Sequence, residues 1–298
     1  MSVVVGYGPN TPGESSLGLG ALLARSLREP LVVCCVVPDR WEAPGLSRSD
    51  DAYVRALRAT ADQTLERARD ALHQAHEATF TVRTGRSVPR TLLDEAAARN
   101  ASVAVVGSSS RGAWGQVALG SVTDWLLHSA ELPVALAPRG YRPVGDEVLK
   151  RVTVALDGSA AGADVLVRAS RLAHRVGARL RVVCFAVRGR STVLPDSSLQ
   201  GEAEAAEAWR DTVTAGLRAA VAGLETLDDT VTPEDLRVVE GHSWVDTLER
   251  GGWESGDLLV LGSGTTGAVS RVFLGSTASR IVRSSPVPVL LLPREAGP

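Results

Sequence analysis

Short apolar runs alternate with amphipathic segments along the chain of 298 residues. Continuous apolar runs such as Leu31 to Val37 and Leu258 to Leu261 are typical of strands that are covered on both faces. Segments between them, of which Asp50 to Ala78 is the longest, repeat apolar residues every three or four positions and predict helices with one buried stripe. Strands that alternate with helices predict an α/β fold with a mainly parallel sheet and helices on both faces.

The same order of elements is predicted in each half of the chain. In the first half the predicted strands are Ser2 to Val5, Leu31 to Val37, Thr79 to Arg83, Val103 to Val106 and Val134 to Ala137, with helices at Ser15 to Leu27, Asp50 to Ala78, Pro89 to Asn100 and Thr123 to Ser129. In the second half the predicted strands are Val152 to Leu156, Leu180 to Val187, Leu236 to Val239, Leu258 to Leu261 and Val287 to Leu292, with helices at Ala160 to Val176, Glu202 to Leu224 and Val245 to Arg250.

An internal repeat relates the two halves residue by residue. Gly107 and Gly262 are 155 positions apart, and the same offset relates four further pairs: Gly120 and Gly275, Ser121 and Ser276, Pro133 and Pro288, Pro138 and Pro293. A constant offset of this kind indicates one unit used twice. We therefore predict two domains, 1–145 and 146–298, joined by the polar, turn-rich segment from Gly140 to Lys150. Each is expected to form its own five-stranded, mostly parallel, Rossmann-like sheet.

Composition and charge exclude several classes of protein. The formal net charge of −2 lacks the basic excess that nucleic-acid binding needs. The three cysteines fall on predicted buried strands, and their spacing with the five histidines fits no metal site. The N-terminal residues lead directly into a strand, with no basic leader and no long apolar segment. A cytoplasmic location, with no membrane partner, is the resulting expectation.

Ligands of open α/β sheets bind outside the carboxyl ends of the strands. In each half, this edge brings together the loop after the first strand and the loop after the fourth. In the second half the first of these loops contains Asp157, whereas Gly8 stands at the matching place in the first half. Asp157 has two open interpretations: its carboxylate accepts hydrogen bonds from a ligand, or it caps the following helix.

The loops after the fourth strands resemble the nucleotide signature of the universal stress proteins, in their tandem two-domain form. That signature is Gly, two residues, Gly, nine residues, then Gly-Ser or Gly-Thr. The second half aligns with it through Gly262, Thr265, Gly275 and Ser276, and Gly264 lies one residue before the replaced middle glycine. The first half aligns through Gly107, Ser110, Gly120 and Ser121. The resemblance covers nearly the whole chain and implies a fold like that of the adenine nucleotide alpha hydrolases.

The resemblance also implies a ligand and the roles of several residues. In ATP-binding members of the family, the first-strand Asp contacts adenosine, which here corresponds to Asp157. A backbone position at the end of the second strand reads the adenine edge, near Phe185, and Gly262, Gly275 and Ser276 would wrap the ribose and phosphates. Magnesium is expected only where it accompanies ATP. The first half lacks both the Asp and the middle Gly, so we expect a weaker site there.

Other phosphate motifs fit the sequence less well. Residues 262–267 match G-x-G-x-x-G, but they follow the fourth strand of their unit, and no acidic residue follows at a strand end about 20 positions on. A P-loop would need Lys and Ser or Thr where Ala268 and Val269 stand. His242, Arg111 and Arg271 lie near the loops, with solvated side chains the favoured interpretation.

Three functional hypotheses remain from the sequence. The first is an ATP-binding stress sensor or regulator that does not turn over substrate, and the second is a nucleotide-free interaction scaffold with decayed sites. The third is slow ATP hydrolysis. In the family the closing strands pair between units, so we expect Leu132 to Ala137 and Val287 to Leu292 to dock the halves as a pseudo-dimer, and a further homodimer is compatible with the sequence.

Overall fold

The fold is built on strands and helices that alternate as the apolar pattern predicts. The computed structural model describes residues 1–9, 14–39, 49–72, 78–109, 114–159, 162–188, 199–225, 235–262 and 275–293. In the first half the elements are β1 (Ser2–Gly6), α1 (Ser15–Leu27), β2 (Leu31–Pro38), α2 (Ser49–Ala71), β3 (Ala78–Gly85), α3 (Val88–Ala98), β4 (Ala101–Gly107), α4 (Ser121–Ser129) and β5 (Val134–Ala137). In the second half they are β6 (Arg151–Ala155), α5 (Ala163–Val176), β7 (Arg179–Val187), α6 (Leu199–Glu225), β8 (Asp235–Gly241), α7 (Trp244–Glu249), β9 (Asp257–Gly262), α8 (Ser276–Ser284) and β10 (Val289–Leu292).

The two predicted five-stranded sheets are joined into one ten-stranded sheet. Its strand order is β3-β2-β1-β4-β5-β10-β9-β6-β7-β8. Neighbouring strands within each half are parallel. The closing strands pair antiparallel, with Ala135 opposite Leu290, so the predicted docking through these strands is confirmed.

Two hydrophobic cores lie on opposite faces of the sheet. Successive strand residues point to opposite faces, so Val3 and Val5 pack in one core and Val4 in the other. Helices α1, α2, α5 and α6 cover the first face, and α3, α4, α7 and α8 cover the second. This arrangement confirms the prediction of helices on both faces.

The registers of the two halves match, which makes residue-by-residue comparison possible. Val3 pairs with Leu31 in the first half, and Val152 pairs with Leu180 in the second. On the other side of the central strand, Val4 pairs with Ala104 and Thr153 with Leu259. The offset is therefore 149 positions for the first two strands of each half, and it becomes 155 from the fourth strand onward.

One helix boundary differs from the sequence prediction. Helix α2 was predicted to continue to Ala78, but Ala78 begins β3, where it pairs with Leu31. The alanine-rich end of the helical pattern carries no stop signal, and pairing with the sheet decides the boundary.

Cys34, Cys35 and Cys184 are buried and free on strands, as predicted, and burial raises the pKa of the Cys34 thiol to about 12.

The β5–β10 interface gives a test of the fold. Leu291 of β10 is fully buried and pairs with Val134 in the first half and Leu261 in the second. We expect Leu291→Ala to lower the free energy of unfolding by about 2–5 kcal/mol, through lost burial and the cavity left behind. Urea unfolding measures this loss. The matched variant Val144→Ala truncates a side chain that is 72% exposed and should change stability by less than about 0.5 kcal/mol. Equal losses in the two variants would contradict the interface.

Candidate functional site

The loop after β6 places a carboxylate at the carboxyl edge of the second half. Strand β6 ends at Ala155, and the next residue, Leu156, donates its backbone N–H to the Val183 carbonyl of β7 at 2.9 Å. The chain then leaves the sheet at Asp157, whose side chain is exposed. Asp157 therefore lies at the position where ligands of parallel sheets bind.

Asp157 does not cap the following helix. Helix α5 begins at Ala163 with Gly162 as its N-cap residue and without a side-chain capping bond. Asp157 Oδ1 instead accepts the backbone N–H of Ser159 at 2.9 Å, which closes a tight Asx turn. The turn fixes the backbone that carries the carboxylate while the side chain stays at the surface.

Helix α6 supports this turn from behind. Gly158 has a φ of +80°, a left-handed conformation that favours glycine. On α6, a Cβ added to Gly216 would lie 2.3 Å from the Gly158 carbonyl oxygen. The two glycines therefore allow backbone-to-backbone packing of α6 on the Asp157 loop. The sequence signal, Asp-Gly-Ser, predicts the turn, but the contact with Gly216 depends on residues 58 positions apart in the chain.

Phe185 contributes backbone rather than side chain to this edge. The β6–β7 pairing ends at Ala155 and Val183. Backbone polar groups alternate sides along a strand, so those of Phe185 point to the same side as those of Val183, past the end of β6. The Phe185 ring is buried in the core, with its centroid 6.2 Å from that of Trp253.

Gly262 at the end of β9 has a packing role. A Cβ at this position would lie 2.3 Å from Val165 Cγ2 on α5, so only glycine lets the helix approach the strand this closely. The rest of the loop, including Gly264, Thr265 and Arg271, lies outside the described residues.

The loop after β9 leads into the N-terminus of α8. Gly275 is the N-cap residue, with φ −59°, and Ser276 is exposed in the first turn. The N–H groups of a helix's first turn lack intrahelical partners and carry partial positive charge. The first turn of α8, all of which the structure describes, carries no acidic residue.

The first half differs at the corresponding helix. Gly107 ends β4, and Gly120 is the N-cap residue of α4, ahead of the exposed Ser121. Asp124 lies in the first turn of α4, where the offset of 155 places Ser279 in α8. The acid puts negative charge at the helix end that would otherwise attract an anion. This difference is visible in the sequence as soon as the two halves are aligned, but sequence reasoning missed it.

Part of the first-half loop folds back on itself. Ser108 is buried, and its Oγ accepts the Ala118 backbone N–H at 2.7 Å. A Cβ at Gly120 would lie 3.2 Å from Ser109 Cβ, so this helix end is held close to the end of β4. Ser110 and Arg111 lie outside the described residues.

The N-terminus of α7, which follows His242, is capped by side chains of the chain itself. His242 is exposed, and its backbone N–H donates to Asp246 Oδ2 at 2.8 Å. Ser243, the N-cap residue of α7, accepts the Asp246 N–H through its Oγ at 3.2 Å. The His242 hydrogen bond and Arg250 lower the pKa of the Asp246 carboxyl. A carboxylate of this chain therefore already occupies the α7 N-terminus.

The described residues contain neither a metal-binding cluster nor a membrane-spanning helix. Among them, no three or more His, Cys, Asp or Glu side chains are grouped so that they could hold a metal ion. Across the same ranges, no helix combines the length and the apolar character that crossing a membrane would need.

Comparison with known proteins places both halves in one family. The sequence model of the universal stress protein family matches residues 1–138 and again 149–293. A universal stress protein of Mycobacterium tuberculosis is 38% identical over 298 residues, covering 98% of this chain and 100% of that protein. A universal stress protein of Mycolicibacterium smegmatis is 29% identical over 300 residues, covering 97% of this chain and 96% of that protein.

The fold is shared with solved structures of lower sequence identity. A universal stress protein from Archaeoglobus fulgidus has a TM-score of 0.59 at 20% identity, covering 99% of this chain and 98% of that one. A universal stress protein from Pseudomonas aeruginosa has a TM-score of 0.58 at 17% identity, covering 99% of this chain and 94% of that one.

The packing role of Gly262 gives a second test. We expect Gly262→Ala to cost about 1–3 kcal/mol of stability, because the added methyl group overlaps Val165. In a double-mutant cycle, Val165→Ala should recover part of that loss. Gly223→Ala is the matched control: its added Cβ meets no atom within 4 Å, and it should stabilise α6 by up to about 1 kcal/mol. Chemical denaturation measures all five proteins: the four members of the cycle and the control. Independent effects of Gly262→Ala and Val165→Ala would refute the contact.

Proposed function

Because the chain belongs to the universal stress protein family, we propose that its second half binds ATP and that the protein acts as a stress-response sensor or regulator. The observation that carries the proposal is that three groups suited to binding a nucleotide lie at the carboxyl edge of the second-half strands. This edge holds the exposed Asp157 carboxylate after β6, the Phe185 backbone beyond the end of the β6–β7 pairing, and the acid-free N-terminus of α8 after β9. Strands β7, β6 and β9 are parallel neighbours, so their carboxyl ends lie side by side.

Each part of that edge matches one part of a nucleotide. The Asp157 carboxylate accepts hydrogen bonds from adenosine, and the Phe185 backbone offers both a donor and an acceptor to the adenine edge. The α8 N-terminus suits phosphate, since its free N–H groups and the helix dipole both favour negative charge. Magnesium accompanies the phosphates of bound ATP and needs no dedicated protein site.

The first half is the weaker site in this proposal. Gly8 provides no carboxylate for adenosine, and Asp124 repels phosphate at the α4 N-terminus. The expected stoichiometry is therefore one ATP per chain at low nucleotide concentration.

A binding role accounts for the residues better than turnover does. Catalysis of phosphoryl transfer needs a positive group at the transferred phosphate, and Ala268 stands where the lysine of a P-loop would be. At most slow ATP hydrolysis is expected. Phosphate release above the buffer rate, abolished by Asp157→Ala, would overturn the regulator role in favour of an ATPase.

The competing function is an interaction scaffold that no longer binds nucleotide. Replacement of the middle signature glycine by Thr265, and by Ser110 in the first half, favours it. Nucleotide analysis of an acid extract of the purified protein separates the two functions. Co-purifying adenine nucleotide excludes the scaffold, whereas empty protein that also gives no calorimetric signal with millimolar ATP excludes the sensor.

Removal of the Asp157 carboxylate tests the adenosine contact. Asp157→Ala should weaken ATP binding at least about tenfold, in line with the loss of a charged hydrogen-bond acceptor. Isothermal titration calorimetry measures the affinity. Asp146→Ala removes the same charge from a linker side chain that is 85% exposed and should leave the affinity unchanged. If both variants bind ATP like the unaltered protein, Asp157 is not part of the site.

An acid placed in α8 at the position that matches Asp124 of α4 tests the phosphate contact. We expect Ser279→Asp to weaken ATP binding about threefold to tenfold, because it places negative charge in the first turn of α8. Adenosine binding should change less, since adenosine carries no phosphate. The reverse change in the first half, Asp124→Ser, serves as the control and should not weaken binding. Equal loss for ATP and adenosine would point to misfolding rather than charge.

A further inference from the structure

A buried ion pair lies at the amino edge of the second half, away from the candidate nucleotide site. Arg151 at the start of β6 donates from Nε and Nη2 to the two carboxylate oxygens of Asp257 at the start of β9. The Asp257 side chain is 1% exposed and the Arg151 side chain 11% exposed. This bidentate pair balances one positive charge with one negative charge.

A second buried arginine beside this pair has no carboxylate partner among the residues that the structure describes. Arg181 on β7 is 2% exposed. Its Nε donates to Thr153 Oγ1 at 3.0 Å, and its Nη1 donates to the Gly251 carbonyl at 2.7 Å. Nη2 of the same group is buried and has no hydrogen-bond partner among the described residues. The guanidinium also stacks on Trp253, with Cζ 4.8 Å from the ring centroid.

The two guanidinium groups are close enough to repel each other. Arg151 Nη2 and Arg181 Nη1 both donate to the Gly252 carbonyl, at 2.8 Å and 3.3 Å. Burial, and secondly the nearby Arg151, lower the pKa of Arg181 to about 10, which still leaves the group charged at neutral pH.

The nearby acids that the structure describes do not neutralise the second positive charge. Glu254 lies 3.5 Å from Arg151, and its side chain is 64% exposed. Asp235 is paired with Arg237 on the neighbouring strand. Within the described part of the chain, the buried cluster therefore holds two guanidinium groups against one buried carboxylate.

The fold itself does not require this cluster. The matching registers place Val4 and Val32 of the first half where Thr153 and Arg181 stand in the second. Both valines are buried, so an apolar pair fills the same place in the sheet. An uncompensated buried charge costs several kcal/mol, so its presence at a position that accepts valine calls for a counter-charge.

We propose that Arg181 holds one small monovalent anion, of the size of chloride, at Nη2. One surplus positive charge calls for one negative charge, and one open amino group offers one point of attachment. Trp253 covers a face of the guanidinium, and the Gly251 and Gly252 carbonyls accept from Nη1, which leaves Nη2 as the group that can donate to an ion. The site is separate from the nucleotide edge and does not depend on the proposed ATP binding.

Thermal unfolding at constant ionic strength tests the site. Replacing sodium gluconate by sodium chloride should raise the midpoint of the unaltered protein saturably, by about 2–4 °C, since an ion that binds only the folded state stabilises it. The double variant Thr153→Val/Arg181→Val copies the first half and should lose this dependence. Arg142→Ala removes a guanidinium that is 74% exposed and should keep it.

Bromide gives a direct readout that needs no variant. Crystals of the unaltered protein grown in bromide should show an anomalous peak within hydrogen-bonding distance of Arg181 Nη2. A water molecule or a carboxylate of the chain at that place, without an anomalous peak, would overturn the proposal. Equal chloride dependence in the unaltered protein and the double variant would do so as well.

Discussion

The antiparallel pairing of β5 with β10 is the constraint on which the rest of the architecture depends. Each half ends in a short, fully buried apolar strand, and alone each would expose an unpaired, aggregation-prone edge. Pairing the two strands satisfies both edges at once and continues both hydrophobic cores across the sheet. Because the strands within each half are parallel, one antiparallel contact sets the direction of all ten.

This geometry separates the two halves chemically. All strands of the first half run opposite to those of the second, so the carboxyl ends of the two halves lie at opposite edges of the sheet. A ligand bound at one edge therefore cannot contact the loops at the other edge. The second half retains Asp157 and an acid-free α8, whereas the first half has Gly8 and Asp124 at the matching positions. The buried Arg181 cluster, at the amino ends of the second half, shares its edge with the first-half loops.

Most of the fold follows from the sequence because it depends on local patterns. Apolar runs predict the strands, the repeat predicts two units, and the family resemblance implies that their closing strands pair. What could not be predicted depends on contacts between distant residues. In the sequence Gly262 looks like a phosphate-loop glycine. In the fold it packs against Val165 of α5, and this contact alone requires a glycine. Arg181 alternates with apolar residues on β7, which is typical of a solvent-facing position, yet tertiary packing buries it beneath Trp253.

The antiparallel contact also determines the path between the domains. The carboxyl end of β5 and the amino end of β6 lie at the same edge, so residues 138–150 join them without crossing the sheet. Glu147 anchors this segment: its carboxylate accepts from Ser255 Oγ at 2.7 Å, and its carbonyl accepts from Arg25 Nε at 3.0 Å. The connection thus bonds to both domains and acts as a brace rather than a tether. Relative rotation of the two halves would have to break these bonds as well as the β5–β10 pairing, so the segment opposes hinge bending between them.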